Sequence, residues 1–546
     1  MSHLLHEVVF LRHARECIVF HIPLCFAVRK YPIPIYHFTK EETVSNPSNS
    51  GSEFAANDYW MSRRNHLFVA SCVALIVTAM SFSIRADIMA TLTQQFNLTN
   101  EQLGWVVGTA FWGFTLAMII GGPLCDIMGM GRLLLLAFIG HATGILLTIF
   151  ATGFWTLFFG TLAIGLANGF VEAACNPLLA TLYPDQKIKR LNLFHAWFPG
   201  GQVIGGVVAF FVDRLGANQS WQPHVWQVNM ATMALPLIIY GAMFIGRKFP
   251  ETERVASGVS TAEMYKECIR PAFLLFVFCM LMTAATELGP QQWFPNILTL
   301  TTGVTGILFL IWITGLMAVG RNFTGFIVQK ISPVALMITC ACFAAVGLFM
   351  ISSANSAAPA FFSATLFAIG VCFFWPTMLG MINERFPKTG ALGLAIMGGL
   401  GMLSSSFAQP IIGAKFDNVM RQSVVAQAAQ WEPAVQKWIA LNSKGIVTGI
   451  PHNWQLEFLQ ATRDPTGAKA VKLLEEASEA SSSNQVLKAT LKPAERVLAV
   501  AQKDGGAAAI RQVVILPLIL ICIFSGIYMF DKAHGGYKKV HLESGT

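Results

Sequence analysis

Glu172 lies inside an apolar stretch, Phe154 to Leu182, with Asn168 four residues before it and Asn176 four residues after. That spacing stacks the three side chains on one helix face. An acidic side chain at the centre of a membrane helix costs about 3 kcal/mol on insertion scales, so such a residue faces a polar cavity and works there. A carboxyl group out of water can exchange a proton near neutral pH, and its protonated form can donate to a hydroxyl. The two Asn side chains offer donors and acceptors to the same space; the competing reading is a buried pair with a neighbouring helix. Asp87 is a second acidic candidate, nearer the end of its apolar run, where plain exposure at a cavity mouth competes with function. Arg85 stands two residues before Asp87, which points the two to different sides of a regular helix. It is placed to pair with Glu172 or Glu287, or to receive an anionic substrate such as a sugar acid. A third polar set is Glu287, Gln291, Gln292, Trp293 and Asn296. Glu287 and Gln291 are one turn apart, and the Trp293 ring suits the apolar face of a sugar; a wetted helix end is the alternative. Gln202, Trp197, His195 and Trp375 are further cavity candidates, with packing an equal claim for each aromatic, and His141 reads as a packing residue.

These side chains need a scaffold, and the composition says which. The 546 residues are 54% hydrophobic and only 12% charged, with a mean hydropathy of +0.56. A soluble domain carries roughly 25% charged residues. A helix needs about 20 mostly apolar residues to cross the hydrocarbon core. Twelve stretches come close, at 67–82, 103–120, 133–150, 155–182, 194–212, 228–245, 271–285, 306–319, 334–351, 361–381, 392–412 and 513–530. The expected fold is therefore an all-α membrane protein of twelve transmembrane helices. With the N-terminus inside, Lys and Arg collect on one set of loops (Arg132; Lys187, Lys189, Arg190; Arg247 to Arg270; Arg321, Lys330; Arg385, Lys388) and in the tail. The opposite loops offer little beyond Arg214. Both termini are expected to be cytoplasmic, in a bacterial-type inner membrane. The net charge of +8 follows from this bias, with no basic stripe to suggest a nucleic-acid partner.

The parts follow from breaks in the pattern. Residues 1–60 read as a flexible extension, 61–247 as a first six-helix bundle, and 248–270 as a cytoplasmic linker. Residues 271–418 hold helices seven to eleven, 419–511 a polar external insertion of short surface helices broken by prolines, and 512–546 the last helix and a cytoplasmic tail. None of the 11 Cys falls in the external insertion, which excludes a disulfide framework there, and no metal site is expected. There is no phosphate-cradling loop with Lys-Ser/Thr, no His-Glu-x-x-His and no Ser/His/Asp set in one aqueous domain, so neither an ATP-driven pump nor an enzyme is indicated, and no cofactor is implied.

Residues 122–132 read Gly122-Pro-Leu-Cys-Asp126-Ile-Met-Gly129-Met-Gly-Arg132, partly repeated by Gly320-Arg321 and Gly325 in the second half. The pattern resembles the loop signature of the major facilitator superfamily. Glu172-Ala-Ala-Cys-Asn176-Pro177 with Arg190-Leu-Asn192-Leu narrows the resemblance to the fucose/galactose/glucose:proton symporter family. Arg85-Ala-Asp87-Ile, Gln94-Gln95-Phe96, Leu98-Thr99, Phe374-Trp375-Pro376-Thr377 and Gly398-Gly399-Leu-Gly401 add to it. The resemblance covers about residues 66–415 and the last helix. It implies two six-helix bundles about a central cavity, with proton coupling carried at the positions of Asp87 and Glu172. Gly122, Asp126, Gly129, Arg132 and Arg321 would form the conformational-switch loops.

The expected function is proton-coupled uptake of a monosaccharide or related carbohydrate by alternating access. Asn168, Asn176, Glu287, Gln291, Trp293, Arg85, Gln202 and Trp375 are the expected substrate contacts. Partners are the small molecule, the proton and the bilayer, with no obligate protein partner evident. One rival reading keeps the fold and moves an organic anion on Arg85; another is a membrane sensor with a transporter fold.

Overall fold

In a computed structural model of the chain, the residues described are 50–183, 187–250, 266–323, 330–443, 454–481 and 485–538. The chain divides into two units, Met1–Asp58 and Tyr59–Thr546. Of the first, residues 50–58 are helical. The expectation of a flexible extension lies outside the described residues as far as 49, and that of the linker lies outside them over 251–265.

Among the described residues every regular element is a helix. The first six are α1 (Arg63–Gln95), α2 (Asn100–Gly122), α3 (Met130–Ile149), α4 (Phe154–Leu182), α5 (Leu193–Gly216) and α6 (Gln222–Phe244). The second set is α7 (Pro271–Thr302), α8 (Ile307–Gly320), α9 (Pro333–Ile351), α10 (Ala357–Ile382) and α11 (Leu392–Ala426). Then come α12 (Ala428–Ser443), α13 (Trp454–Thr462), α14 (Ala468–Ser481), α15 (Gln485–Arg511) and α16 (Ile515–Ala533). Eleven helices among the described residues are long and apolar enough to cross a membrane, α15 and α16 counting as one; α8 is the shorter twelfth, carried on by a 3-10 turn, Arg321–Phe323.

Local chemistry sets the ends. Thr99 caps α2 with its hydroxyl accepting from Gln102 N at 3.1 Å, while Gln102 Oε1 accepts from Thr99 N at 3.0 Å, a reciprocal capping box. Gly303, at φ 72°, closes α7 in the left-handed conformation that glycine adopts without strain.

Inside the bundles, glycine lets backbones touch, which is how helices associate where lipid removes the hydrophobic drive. A Cβ on Gly165 of α4 would sit 2.3 Å from Ala110 O of α2, and one on Gly169 would sit 2.6 Å from Phe114 O. The second half repeats the device between α9 and α10, where a Cβ on Gly347 would lie 2.5 Å from Phe367 N and one on Gly370 2.3 Å from Ala344 N. Large exposed side chains such as Phe150, Trp155, Phe159, Leu235, Phe349 and Phe362 face outward, as the lipid side of a bundle requires.

The two halves meet along α2 and α11. A Cβ on Gly104 would lie 2.6 Å from Gln409 O, one on Gly108 2.6 Å from Ser406 O, and one on Gly413 2.1 Å from Asn100 O. At the α1–α2 loop Asp417 of α11 caps the start of α2. Its carboxylate accepts from Asn100 Nδ2 at 2.8 Å, Asn100 N at 3.3 Å and Glu101 N at 3.0 Å.

The polar segment between α11 and α16 is more continuous than its prolines suggest. Pro433 and Pro493 lie within α12 and α15 without ending them, each at the loss of one backbone hydrogen bond of its helix. The segment has its own core of Trp431, Trp438, Leu474, Leu491 and Val497. It is seated on the second half: Ser423 donates to Asp504 at 2.8 Å, Gly506 lies against Ile297 of α7, and Arg511 Nη2 donates to Ser353 at 3.1 Å.

Candidate functional site

Arg85 of α1 reaches across to α7, where its Nε donates to Gln292 Oε1 at 3.2 Å. The guanidinium lies over the rings of Phe82, at 4.8 Å, and Phe111, at 5.8 Å. The residue is 6% exposed, its Nη2 has no hydrogen-bond partner, and among the described residues it makes no ion pair. Cation–π contacts stabilise a desolvated cation by about 2 kcal/mol, well short of its desolvation cost of several kcal/mol. The free Nη2 is thus an unanswered donor at the seam between the halves.

Below it on α7, Glu287 is 4% exposed and pairs with Arg321 Nη2 at 3.5 Å, with its Oε2 unpartnered. Arg321 also donates from Nε to Cys372 O at 3.2 Å. The side chain expected to serve a switch loop therefore turns inward to a buried acid. Gln291 has Oε1 unpartnered and Nε2 against Met317 Sδ at 3.7 Å. In the first half Glu172 is half-buried and accepts from Asn176 Nδ2 at 3.5 Å, while Asn176 Oδ1 has no partner. His195 lies within reach of the charges of both Glu172 and Arg321.

Asn168 does not join Glu172. It is fully buried, with Oδ1 on His141 Nε2 at 2.8 Å and Nδ2 donating to Ser81 at 3.1 Å, while His141 Nδ1 meets Tyr240 OH at 3.0 Å. The network ties α1, α3, α4 and α6, and its geometry leaves Asn168 committed within the bundle. Asn168→Ala is expected to cost about 1–3 kcal/mol of stability, since it strands His141 and Ser81 in an apolar interior. Thermal unfolding of the purified protein would show it; an unchanged midpoint would mean that the network carries no weight.

Trp293 is likewise wholly buried, its Nε1 without a partner, which removes it from any face open to solute in this conformation. Gln202 is 2% exposed, and Trp375 packs on the α11 glycines, 3.3 Å from a Cβ on Gly401. At the switch pattern Gly129 has φ +83° and Arg132 is exposed. A Cβ on Gly122 would meet nothing within 4 Å; the close approach falls on Gly121, where a Cβ would lie 2.7 Å from Ala173 Cβ of α4. The Asp126 side chain and Gly325 lie outside the described residues.

Asp87 has neighbours that the sequence reading passed over. Asn229 Nδ2 of α6 donates to Asp87 Oδ2 at 3.4 Å and to Asp213 Oδ1 of α5 at 2.9 Å. Asn229 is a polar side chain inside an otherwise apolar run, and that is the signal by which it could have been found.

A bundle of membrane-spanning helices in two halves, with unpaired polar atoms gathered along the seam, is a multi-pass integral membrane transporter. The chain belongs to the Major Facilitator Superfamily, whose family profile matches residues 70–413. It is not an enzyme: the relatives and structural neighbours it matches are transporters.

It is 29% identical over 164 residues to a D-xylose transporter of Levilactobacillus brevis, covering 30% of this chain and 34% of that protein. It is 26% identical over 341 residues to the 3-(3-hydroxy-phenyl)propionate transporter of Escherichia coli K12, covering 59% of this chain and 80% of that one. The match thus spans about a third of the first relative and four-fifths of the second. Among solved structures, a bacterial homolog of the human lysosomal transporter Spinster superposes with a TM-score of 0.59 at 14% identity, covering 85% of this chain and 96% of that one. The xylose transporter XylE of E. coli superposes with a TM-score of 0.53 at 16% identity, covering 64% and 91%. At such identities these two establish the fold alone.

Proposed function

We propose that the chain is a proton-coupled importer of a small organic carboxylate, with Arg85 receiving the carboxylate. The observation that carries this reading is the buried guanidinium with a free Nη2 and no acidic partner among the described residues. A buried charge without a counter-ion is costly, and a transported anion supplies the counter-ion when it binds. Phe82 and Phe111 beside it suit an apolar or aromatic body, and Gln291 and Asn176 offer open acceptors to hydroxyls. The relative from E. coli named for a hydroxyphenyl-propionate supports the anionic class. Glu172 and Asp87 are the proposed coupling residues, and the halves alternate access by rocking about the seam, with both termini cytoplasmic.

A neutral monosaccharide is the second reading, favoured by the half-buried Glu172–Asn176 pair and by the D-xylose relative. The test is the pH of a lightly buffered, de-energised suspension of expressing cells as sugars, sugar acids and aromatic acids are added in turn. Alkalinisation is expected with carboxylates, and its loss, together with concentrative uptake, in Glu172→Gln. A response to neutral sugars alone would transfer the function to the second reading, and an unchanged Glu172→Gln would remove that residue from coupling.

A further inference from the structure

We infer that Asp87, Asp213 and Asn229 form one proton-binding site built from α1, α5 and α6, in which the two carboxyl groups share a single proton. This rests on the proposed proton coupling and assigns it a partner residue, Asp213, and a reader, Asn229. The two carboxyl groups are close enough to be reached by one and the same side-chain nitrogen. A single amide nitrogen of Asn229 bridges them at 3.4 and 2.9 Å. Two carboxylates in contact repel strongly unless a cation or a proton stands between them. The charged groups around them do not answer the need. Arg85, two residues before Asp87, is turned to Gln292 at 3.2 Å; Arg214 is exposed and lies on the Phe210 ring at 5.3 Å; His224, at the start of α6, is exposed. From α8 the nearby packing is apolar, through Ile307 and Ile311 against Ala86 and Phe210.

A second observation points to the ligand independently of the acids. Asn229 is 1% exposed, and its Oδ1 has no hydrogen-bond partner. An amide whose nitrogen faces two carboxyl groups and whose oxygen is unanswered can serve either charge state. Its Nδ2 donates when the pair is ionised, and a turn of the amide presents Oδ1 to an acid O–H when the pair is loaded. No bond is made or broken beyond the O–H: the proton enters on one carboxyl group, is held by the other, and leaves by the same two oxygens. Asp87 and Asp213 are both half-buried, so water reaches the pair while the amide behind it stays dry.

The test is infrared spectroscopy of the full chain reconstituted in bilayers, with heavy-carbon-labelled aspartate to separate Asp from Glu. A protonated-carboxyl band from Asp is expected at neutral pH, shifting in heavy water. The same band is expected to vanish in Asp87→Asn and in Asp213→Asn alike, because neither acid keeps the shared proton without the other. Independent loss of two separate bands, or a band indifferent to both substitutions, would overturn the shared site. Absence of the band together with saturable binding of radioactive sodium, lost in both variants, would also overturn it and make sodium the ligand. The wild-type band is read without any variant, so a misfolded substitution does not blunt the test. Transport silence across every carboxylate and sugar with the shared band intact would sink the proposed substrate and leave this site standing.

Discussion

Arg85→Gln is expected to lower carboxylate uptake about 100-fold in kcat/KM, with Arg85→Lys falling between it and wild type. The guanidinium is fixed before substrate arrives: Nε is on Gln292 Oε1 at 3.2 Å and the plane lies over Phe82 at 4.8 Å. A carboxylate docking on the free Nη2 gains a charge-assisted hydrogen bond in a site from which water is excluded. Losing one partner of such a buried pair costs about 2–5 kcal/mol, and about 3 kcal/mol is roughly two powers of ten. Gln keeps a donor but no charge. Lys keeps the charge as a compact, strongly hydrated ammonium without the planar fork that Gln292 and the ring hold in place. Initial rates in proteoliposomes over a range of carboxylate concentrations would show it. If Arg85→Gln moved carboxylates as well as wild type, Arg85 would be a structural cation and the anionic reading would fail.

Gly104→Leu is expected to hold the α1–α2 end of the seam open and to cut net transport more than tenfold. A Cβ at this position would lie 2.6 Å from Gln409 O and 2.6 Å from the Pro410 Cα, backbone atoms that have no rotamer by which to yield. The remaining relief is to move α11 away from α2, which is the motion of the bundles themselves. Asp417→Ala should act in the same direction more gently. It removes the carboxylate that accepts from Asn100 and Glu101 at the positive end of α2. Losing about 1.5–2 kcal/mol from that charged cap shifts an open–closed equilibrium roughly ten- to thirtyfold. Spin labels at Thr99→Cys and Lys415→Cys, both exposed, would report the separation of the two helix ends. A distance distribution unchanged by Gly104→Leu would show that α2 and α11 do not form a gate here.

Spans were legible because hydrocarbon leaves a chain little choice: each run must be about 20 residues long and helical to satisfy its backbone. The family was legible for a related reason, since turns such as Gly129, at φ +83°, tolerate few residues. Glu172, Arg85 and Glu287 stood out because charge in grease is rare. The prolines of the polar insertion misled in detail, since Pro493 sits early in a helix that then runs on to Arg511.

Partnership was another matter. Asn168 shares a helix face with Glu172, yet bonds to His141 and Ser81 because α1 and α3 pack against it at that level. Trp293 follows Gln292 by one residue, and that step turns it from the seam into the core. Asp213 and Asp87, 126 positions apart in sequence, share the Asn229 amide only because α5 folds back beside α1.

Residue type and apolar period by themselves determined a twelve-helix membrane protein and named most of the charged side chains worth attention, and the loop pattern at 122–132 carried the resemblance to the major facilitator class. Only the tertiary structure decided which of them meet. A helix fixes which side chains share a face, but the neighbouring helix and its level are set by glycine-mediated backbone contacts distant in sequence, and those contacts left Arg85 without an acid among the described residues and brought Asp87 and Asp213 to one amide.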